Sequence, residues 1–113
     1  MNTTDVGKLA ETAAADFLMS KGFIVIARNF RTPRCEIDLI AKKTDCVYFV
    51  EVKYRSTASQ GTGLDYVTQT KQRQMRYAAE TWTQENGWTG EATLSAIEVD
   101  RNFTVTEFIE DIS

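Results

Sequence analysis

Apolar residues recur along this chain in two rhythms, one helical and one alternating, and the order in which the rhythms change predicts the fold. Leu9, Ala13, Ala14, Phe17 and Leu18 repeat at helical spacing, behind the N-cap candidates Thr3, Thr4 and Asp5 and ahead of Gly22, which ends the run. Residues 23–30 are β-branched and aromatic for their length and read as the first strand, with Pro33 marking the turn that leaves it. Residues 35–42 and 46–53 read as the two arms of a hairpin turning through Lys43, Thr44 and Asp45. Residues 54–65 contain two glycines among small polar residues and no periodicity, which predicts a mobile loop beside the end of the third strand, placed to close over a substrate. A second helix begins at Thr68 or Thr70, buries Met75, Ala78, Ala79 and Trp82, and ends before Gly87. Residues 92–99 and 102–109 alternate as a last pair of strands joined through Asp100, Arg101 and Asn102. The predicted order is α-β-β-β-α-β-β in one domain spanning residues 1–113, with no repeat, linker or heptad pattern.

Composition bounds this picture. A chain of 113 residues buries roughly two-thirds of its unfolded surface, enough for one core without disulfides or a structural metal. Cys35 and Cys46 open the two arms of the hairpin, and no signal segment or long apolar span accompanies them, so a cytoplasmic protein with free thiols and no membrane partner is expected. The net charge of −3 hides an asymmetry: residues 1–76 carry 12 Lys/Arg against 8 Asp/Glu, whereas residues 77–113 carry Arg101 against 8 acids. The acidic end reads as a solvated face or, less simply, as a partner-directed patch. In the second helix Lys71, Arg73 and Arg76 oppose the helix dipole, at a cost of a few tenths of a kcal/mol each, which a nearby phosphate or acidic site would offset.

The candidate chemistry lies in the hairpin. Strand alternation puts Glu36, Asp38 and Ile40 on one face of its first arm and Ile37, Leu39 and Ala41 on the other. In the second arm Glu51 and Lys53 share a face with Val47 and Phe49, opposite Tyr48, Val50 and Val52. Counted from the turn, Asp38 and Glu51 fall about opposite each other, where paired Cβ atoms are ~4.5–5.5 Å apart. Carboxylates that close repel by several kcal/mol at an effective dielectric of ~20, so one takes up a proton or a metal binds between them. Magnesium suits such oxygen ligands; zinc does not, because the chain has no histidine and its cysteines lack paired spacing. Lys53 is placed to hold a phosphate or to orient and deprotonate an attacking water, which is the chemistry of phosphodiester displacement. The Glu-x-Lys triplet alone is a weak signal, because alternating charges are common on solvated strands. Glu11 falls at the margin of the first helix's stripe and, by itself, reads as a solvated first-turn acid.

From residue 7 to about residue 82 the chain resembles the YraN family of bacterial proteins, which are similar in fold and motif to the PD-(D/E)xK restriction-endonuclease-like nucleases and, among them, to archaeal Holliday junction resolvases. The motifs stand in order as Gly7-Lys8-Leu9-Ala10-Glu11-Thr12-Ala13-Ala14, Arg28-Asn29-Phe30-Arg31, Cys35-Glu36-Ile37-Asp38-Leu39-Ile40 and Phe49-Val50-Glu51-Val52-Lys53-Tyr54-Arg55. The later lysine follows as Lys71 with Arg73 and Arg76, and Glu107 to Asp111 is similar to the closing strand. The resemblance implies an α/β fold with a restriction-endonuclease-like mixed β-sheet flanked by helices. It implies that Asp38 and Glu51 are metal ligands, that Val52 lends its backbone carbonyl, that Glu11 completes the acidic cluster and that Lys53 is the catalytic lysine. Glu36 is a weaker candidate for the same cluster. Cys35 stands where the family has glycine, a departure expected to narrow the backbone freedom there or to crowd the approach to the strand.

The function expected on these grounds is a Mg²⁺- or Mn²⁺-dependent endonuclease acting on branched or structured DNA. Lys8, Arg31, Arg34, Arg55, Lys71 and Arg73 are the phosphate-contact candidates, of a kind that gives affinity with little sequence preference. The competing expectations are a nucleic-acid-binding module that keeps the fold without turnover, and an interaction protein using the acidic C-terminal hairpin. The edge strand of that hairpin offers a surface on which two copies could pair as a homodimer.

Overall fold

The computed structural model of the protein describes residues 2–56 and 67–112. Within them the chain forms α1 (Thr3–Ser20), β1 (Ile24–Arg31), β2 (Glu36–Lys43), β3 (Cys46–Arg55), α2 (Gln69–Glu85), β4 (Glu91–Asp100) and β5 (Val105–Ile109). This is the α/β element order read from the sequence, α-β-β-β-α-β-β. The strands lie in one mixed sheet in the order β1-β2-β3-β4-β5, antiparallel except where β3 and β4 run parallel. A parallel pair cannot be closed by a tight turn and needs a crossover, and α2 lies in that connection. Among the described residues no helix is long and apolar enough to cross a membrane.

The two helices cover opposite faces of the sheet. Ala10, Ala14, Ala15 and Leu18 of α1 pack with Leu39, Ala41, Val50, Ile97 and Val99. Met75, Ala78 and Ala79 of α2 pack with Cys35, Ile37, Ile40, Val47, Phe49 and Leu94, and Trp82 adds an edge-on contact with Phe49 at 5.8 Å. Burying a side chain such as Leu18 or Phe49 contributes about 1.5–3 kcal/mol. The sheet-facing line of α1 is therefore Ala10–Ala14–Leu18, one residue out of step with the line expected from Leu9 and Ala13, and Leu9 is left exposed. Alanines in that line let the helix backbone approach the sheet closely.

The element ends differ from expectation in ways that local chemistry explains. The N-cap of α1 is Asn2, whose side chain accepts from the Asp5 N–H at 2.9 Å, so Thr3 and Thr4 fall inside the helix. The helix stops as expected: Phe23 N–H donates to Leu18 O and Gly22 N–H to Met19 O, with Gly22 at φ 91°. Lys43 pairs with Cys46, so the hairpin turn is the two residues Thr44 and Asp45, with Thr44 at φ 52°. β3 extends to Arg55, because β4 pairs with it as far as Asp100; the rest of the expected loop, from residue 57, lies outside the described residues. β5 begins at Val105 and not at Asn102, since the Asp100 carboxylate accepts from the N–H groups of Asn102 and Thr104 and folds that segment into a turn. Thr68 caps α2 by accepting from Lys71 N–H at 3.1 Å.

One correction bears directly on the site. Simple alternation put Ile37, Leu39 and Ala41 on one face, but Ile37 packs in the α2 layer while Leu39 and Ala41 pack in the α1 layer. The alternation of β2 therefore changes phase at Asp38. On β1 the same change occurs between Ala27 and Phe30, both in the α2 layer, and the residue that absorbs it is Asn29, at φ 54°. Asparagine is among the few residues that adopt this left-handed geometry readily.

Candidate functional site

Three elements deliver the site. β2 and β3 pair from Lys43–Cys46 up to Leu39–Val50, and there the ladder ends. The next residue of β2 is Asp38, and its Oδ2 accepts a 2.7 Å hydrogen bond from the Val52 N–H. The carboxylate thus takes over a backbone donor that the ladder leaves unpaired. An extended strand points the N–H and C=O of one residue toward the same neighbour. The Val52 carbonyl consequently faces the gap in which Asp38 lies.

Asp38 and Glu51 meet in that gap, near enough for each carboxyl to act on the other. Burial, then the hydrogen bond and charge of Glu51, push Asp38 up to about 8; the Val52 N–H pulls the other way and Glu11 adds a smaller upward effect. The crowding of two facing acids thus favours a shared proton on the pair, with Asp38 the group whose pKa is pushed upward. Glu51 turns to α2, where its Oε2 lies 3.1 Å from Lys71 Nζ. Burial lowers the Lys71 pKa, but the charge and hydrogen bond of Glu51 outweigh it and the net shift is upward. The acidic site that the basic start of α2 called for is thus Glu51.

Glu11 and Glu36 form an outer pair of acids, bridged by Asn29. Its Nδ2 donates to Glu11 Oε1 at 3.2 Å and to Glu36 Oε1 at 2.9 Å, tying α1 to β1 and β2. Arg31 adds an exposed contact to Glu36 at 3.6 Å. The sequence motif contains Asn29 without showing its role; a residue tolerant of left-handed geometry in mid-strand is its one signal. Among the described residues no three acid or cysteine side chains are already gathered tightly enough to hold a metal ion. The four acids stand as an inner pair, Asp38 and Glu51, and an outer pair, Glu11 and Glu36.

The remaining candidates separate into engaged and exposed groups. Arg55, expected at a phosphate, has its Nε 2.8 Å from Glu98 Oε2, outside the angular range of a hydrogen bond, and its side chain is only 11% exposed. Lys71 is engaged by Glu51. Lys8, Arg31, Arg34 and Arg73 are exposed; Arg34 sets its guanidinium 5.1 Å from the centre of the Tyr77 ring, and Arg73 bonds Thr70 Oγ1 at 3.3 Å. Lys53 is exposed, two residues past Glu51 and opposite Glu98 in the β4 register.

Cys35 is buried against the α2 layer. Its backbone N–H donates to Thr32 Oγ1 at 3.1 Å, and its carbonyl accepts from Thr32 N–H at 2.8 Å. It is not among the residues with positive φ, so this turn does not need the glycine that the resemblance led one to expect. Burial raises its thiol pKa; Lys71 lowers it, while Glu51, Asp38 and Glu36 raise it further.

Comparison with known proteins agrees with the motif order. The profile described as Uncharacterised protein family UPF0102 matches residues 10–105. A UPF0102 protein of Dictyoglomus thermophilum is 41% identical over 80 residues, covering 71% of this chain and 68% of that protein. One from Hahella chejuensis is 37% identical over 89 residues, 79% of this chain and 72% of the relative. One from Desulfosudis oleivorans is 42% identical over 84 residues, 74% and 68% of the two chains.

Proposed function

The chain belongs to the UPF0102 family, the YraN family of the sequence resemblance, and from that membership and its paired acids we propose that it is a Mg²⁺- or Mn²⁺-dependent endonuclease of structured or branched DNA. The observation that carries the reading is the meeting of Asp38 with Glu51 and the Val52 backbone where β2 and β3 cease to pair. Nothing in the packing of the sheet calls for two carboxyls there. A buried pair costs stability unless a cation or a proton relieves it, and at this site Lys71 and the Asp38 proton share that task.

The donor set fits a hard divalent cation. The carboxylates of Asp38 and Glu51 with the Val52 carbonyl would hold it, and Glu11 and Glu36 would bind through water or a second shell of hydrogen bonds fixed by Asn29. When bound, such an ion supplies Lewis acidity toward a phosphodiester and lowers the pKa of a water. The protein's own part begins with Asp38, which must release its proton for the site to load. With a cation held there, Lys71 would be released from Glu51 to meet a phosphate, and Lys53 would orient the attacking water. Arg31, Arg34, Arg73 and Lys8 supply exposed positive charge for the nucleic-acid backbone.

Titration of the protein with Mg²⁺ or Mn²⁺ by calorimetry or NMR, alongside Asp38→Asn, tests the site itself. A wild-type site tighter than millimolar that the variant lacks is the expected result; no such site, with or without DNA, removes the proposal. Metal-dependent cleavage is then expected to vanish in both Glu51→Ala and Lys53→Ala. A second reading, a binding module without turnover, draws on the fact that Glu51 is already paired with Lys71; salt-sensitive DNA binding with no metal-dependent product would select it.

A further inference from the structure

Beside the acid site, on the flank of α2 that meets the β1–β2 turn, an aromatic ring and two arginines stand exposed together. Tyr77 is 40% exposed, off the buried stripe of α2 formed by Met75, Ala78 and Ala79. Arg34 comes across from the turn and lays its guanidinium over the ring, 5.1 Å from the centre. Arg73 lies one helical turn before Tyr77, so the two side chains are neighbours on the surface. The group neighbours the acid site along two stretches of the chain. Arg34 precedes Cys35, whose thiol feels Lys71, Glu51 and Asp38, and Tyr77 is ~9 Å along the helix axis from Lys71, which is bonded to Glu51.

We propose that Arg34, Arg73 and Tyr77 form a stacking platform for an unpaired base of single-stranded DNA whose neighbouring phosphate lies at the Asp38–Glu51 site. The inference rests on the nucleic-acid reading above and narrows its substrate to DNA with an unpaired segment. In a duplex each base is covered on both faces by its neighbours, so a guanidinium plane or an aromatic ring can take a base only where the strand is open. Every base has such a face, and the platform is therefore indifferent to sequence. The arginines add positive charge where the backbone of the strand would pass. The outward position of Tyr77 and its coverage by a cation from another element together favour a base over an apolar peptide, which would meet two uncompensated charges.

The test is fluorescence anisotropy at low salt, with Ca²⁺ replacing Mg²⁺, on the wild type, Tyr77→Phe, Tyr77→Ala and Arg34→Gln, each checked for folding by circular dichroism. The probes are an oligothymidylate, an abasic oligonucleotide of the same length and a blunt duplex. The wild type and Tyr77→Phe are expected to bind the oligothymidylate about tenfold more tightly than the abasic strand. In Tyr77→Ala the preference collapses toward unity while duplex affinity stays within about twofold, and Arg34→Gln weakens the preference by several-fold. A folded Tyr77→Ala that keeps the preference, or a wild type that never shows one, overturns the platform; if metal-dependent cleavage of DNA persists alongside, the nuclease reading survives it. A wild type that binds none of the probes overturns both.

Discussion

Two carboxylate–cation pairs lie along β3, and they differ in how their charges balance. Arg55 lies against Glu98; their side chains are 11% and 15% exposed, and Thr106 donates to the other Glu98 oxygen at 2.9 Å. Glu51 and Lys71 are 15% and 29% exposed, but here a further buried acid, Asp38, shares the site and has its pKa pushed upward. A balanced pair holds β3 and β4 in place and has no use for an additional ion. An acid-rich one is relieved by a proton or by Lys71, and the proposed metal would compete with both. The sequence motif contains both Glu51 and Arg55, and only their partners in space distinguish the proposed metal site from a strut.

The largest expected effect divides them by activity. Glu51→Ala should lower metal-dependent cleavage by about 10³-fold or more, since a charge-stabilising ligand contributes several kcal/mol to the barrier, whereas the double variant Arg55→Met/Glu98→Leu should keep cleavage within a few-fold. Initial rates on a labelled branched DNA measure both; equal losses would erase the distinction. Next in size, Glu98→Ala alone removes a buried partner of the Arg55 guanidinium and should cost about 3 kcal/mol in urea unfolding, while the double apolar replacement should sit nearer wild type.

A pH series sharpens the comparison from the other side. The folded pKa of Asp38, about 8, is above its unfolded value of ~3.9, so the native state holds a proton that the unfolded chain lacks throughout that window. Stability should therefore fall as pH rises from ~4 to about 8 and level off above, and Asp38→Asn should remove that slope. Metal affinity runs the opposite way, rising by up to about tenfold per pH unit and flattening once Asp38 is ionised, because loading requires release of its proton. Calorimetry in buffers of different ionisation enthalpy reports the proton directly. The smallest effect belongs to the cap that starts α2 beside the site: Thr68→Ala should cost about 1 kcal/mol, with metal affinity changing less than it does in Asp38→Asn.

The element order and most boundaries were legible because each local signal agreed with its neighbours, from the Gly22 stop to the Thr68 cap and the paired arms on either side of Thr44 and Asp45. Errors arose where a side chain bonded its own backbone, as Asp100 does in delaying β5, or where packing chose among equivalent helix faces, as in the exposure of Leu9. In the candidate site, the facing of Asp38 and Glu51 followed from counting back from the turn. The roles of Asn29 and Tyr77 did not follow, since one depends on a left-handed backbone and the other on a turn that meets α2 from far away in the chain.

By itself, the sequence determined which elements form, their order, and the arrival of two acids at facing positions of a hairpin, because alternation and turn chemistry act over a few residues. Only the tertiary structure decided that the strands part at Asp38, that Val52 turns its backbone toward that acid, and that Lys71 answers Glu51 while Glu98 answers Arg55. Those outcomes depend on how two helix layers grip opposite faces of one sheet, and the energy of a charge is set by what surrounds it in space, not by its neighbours in the chain.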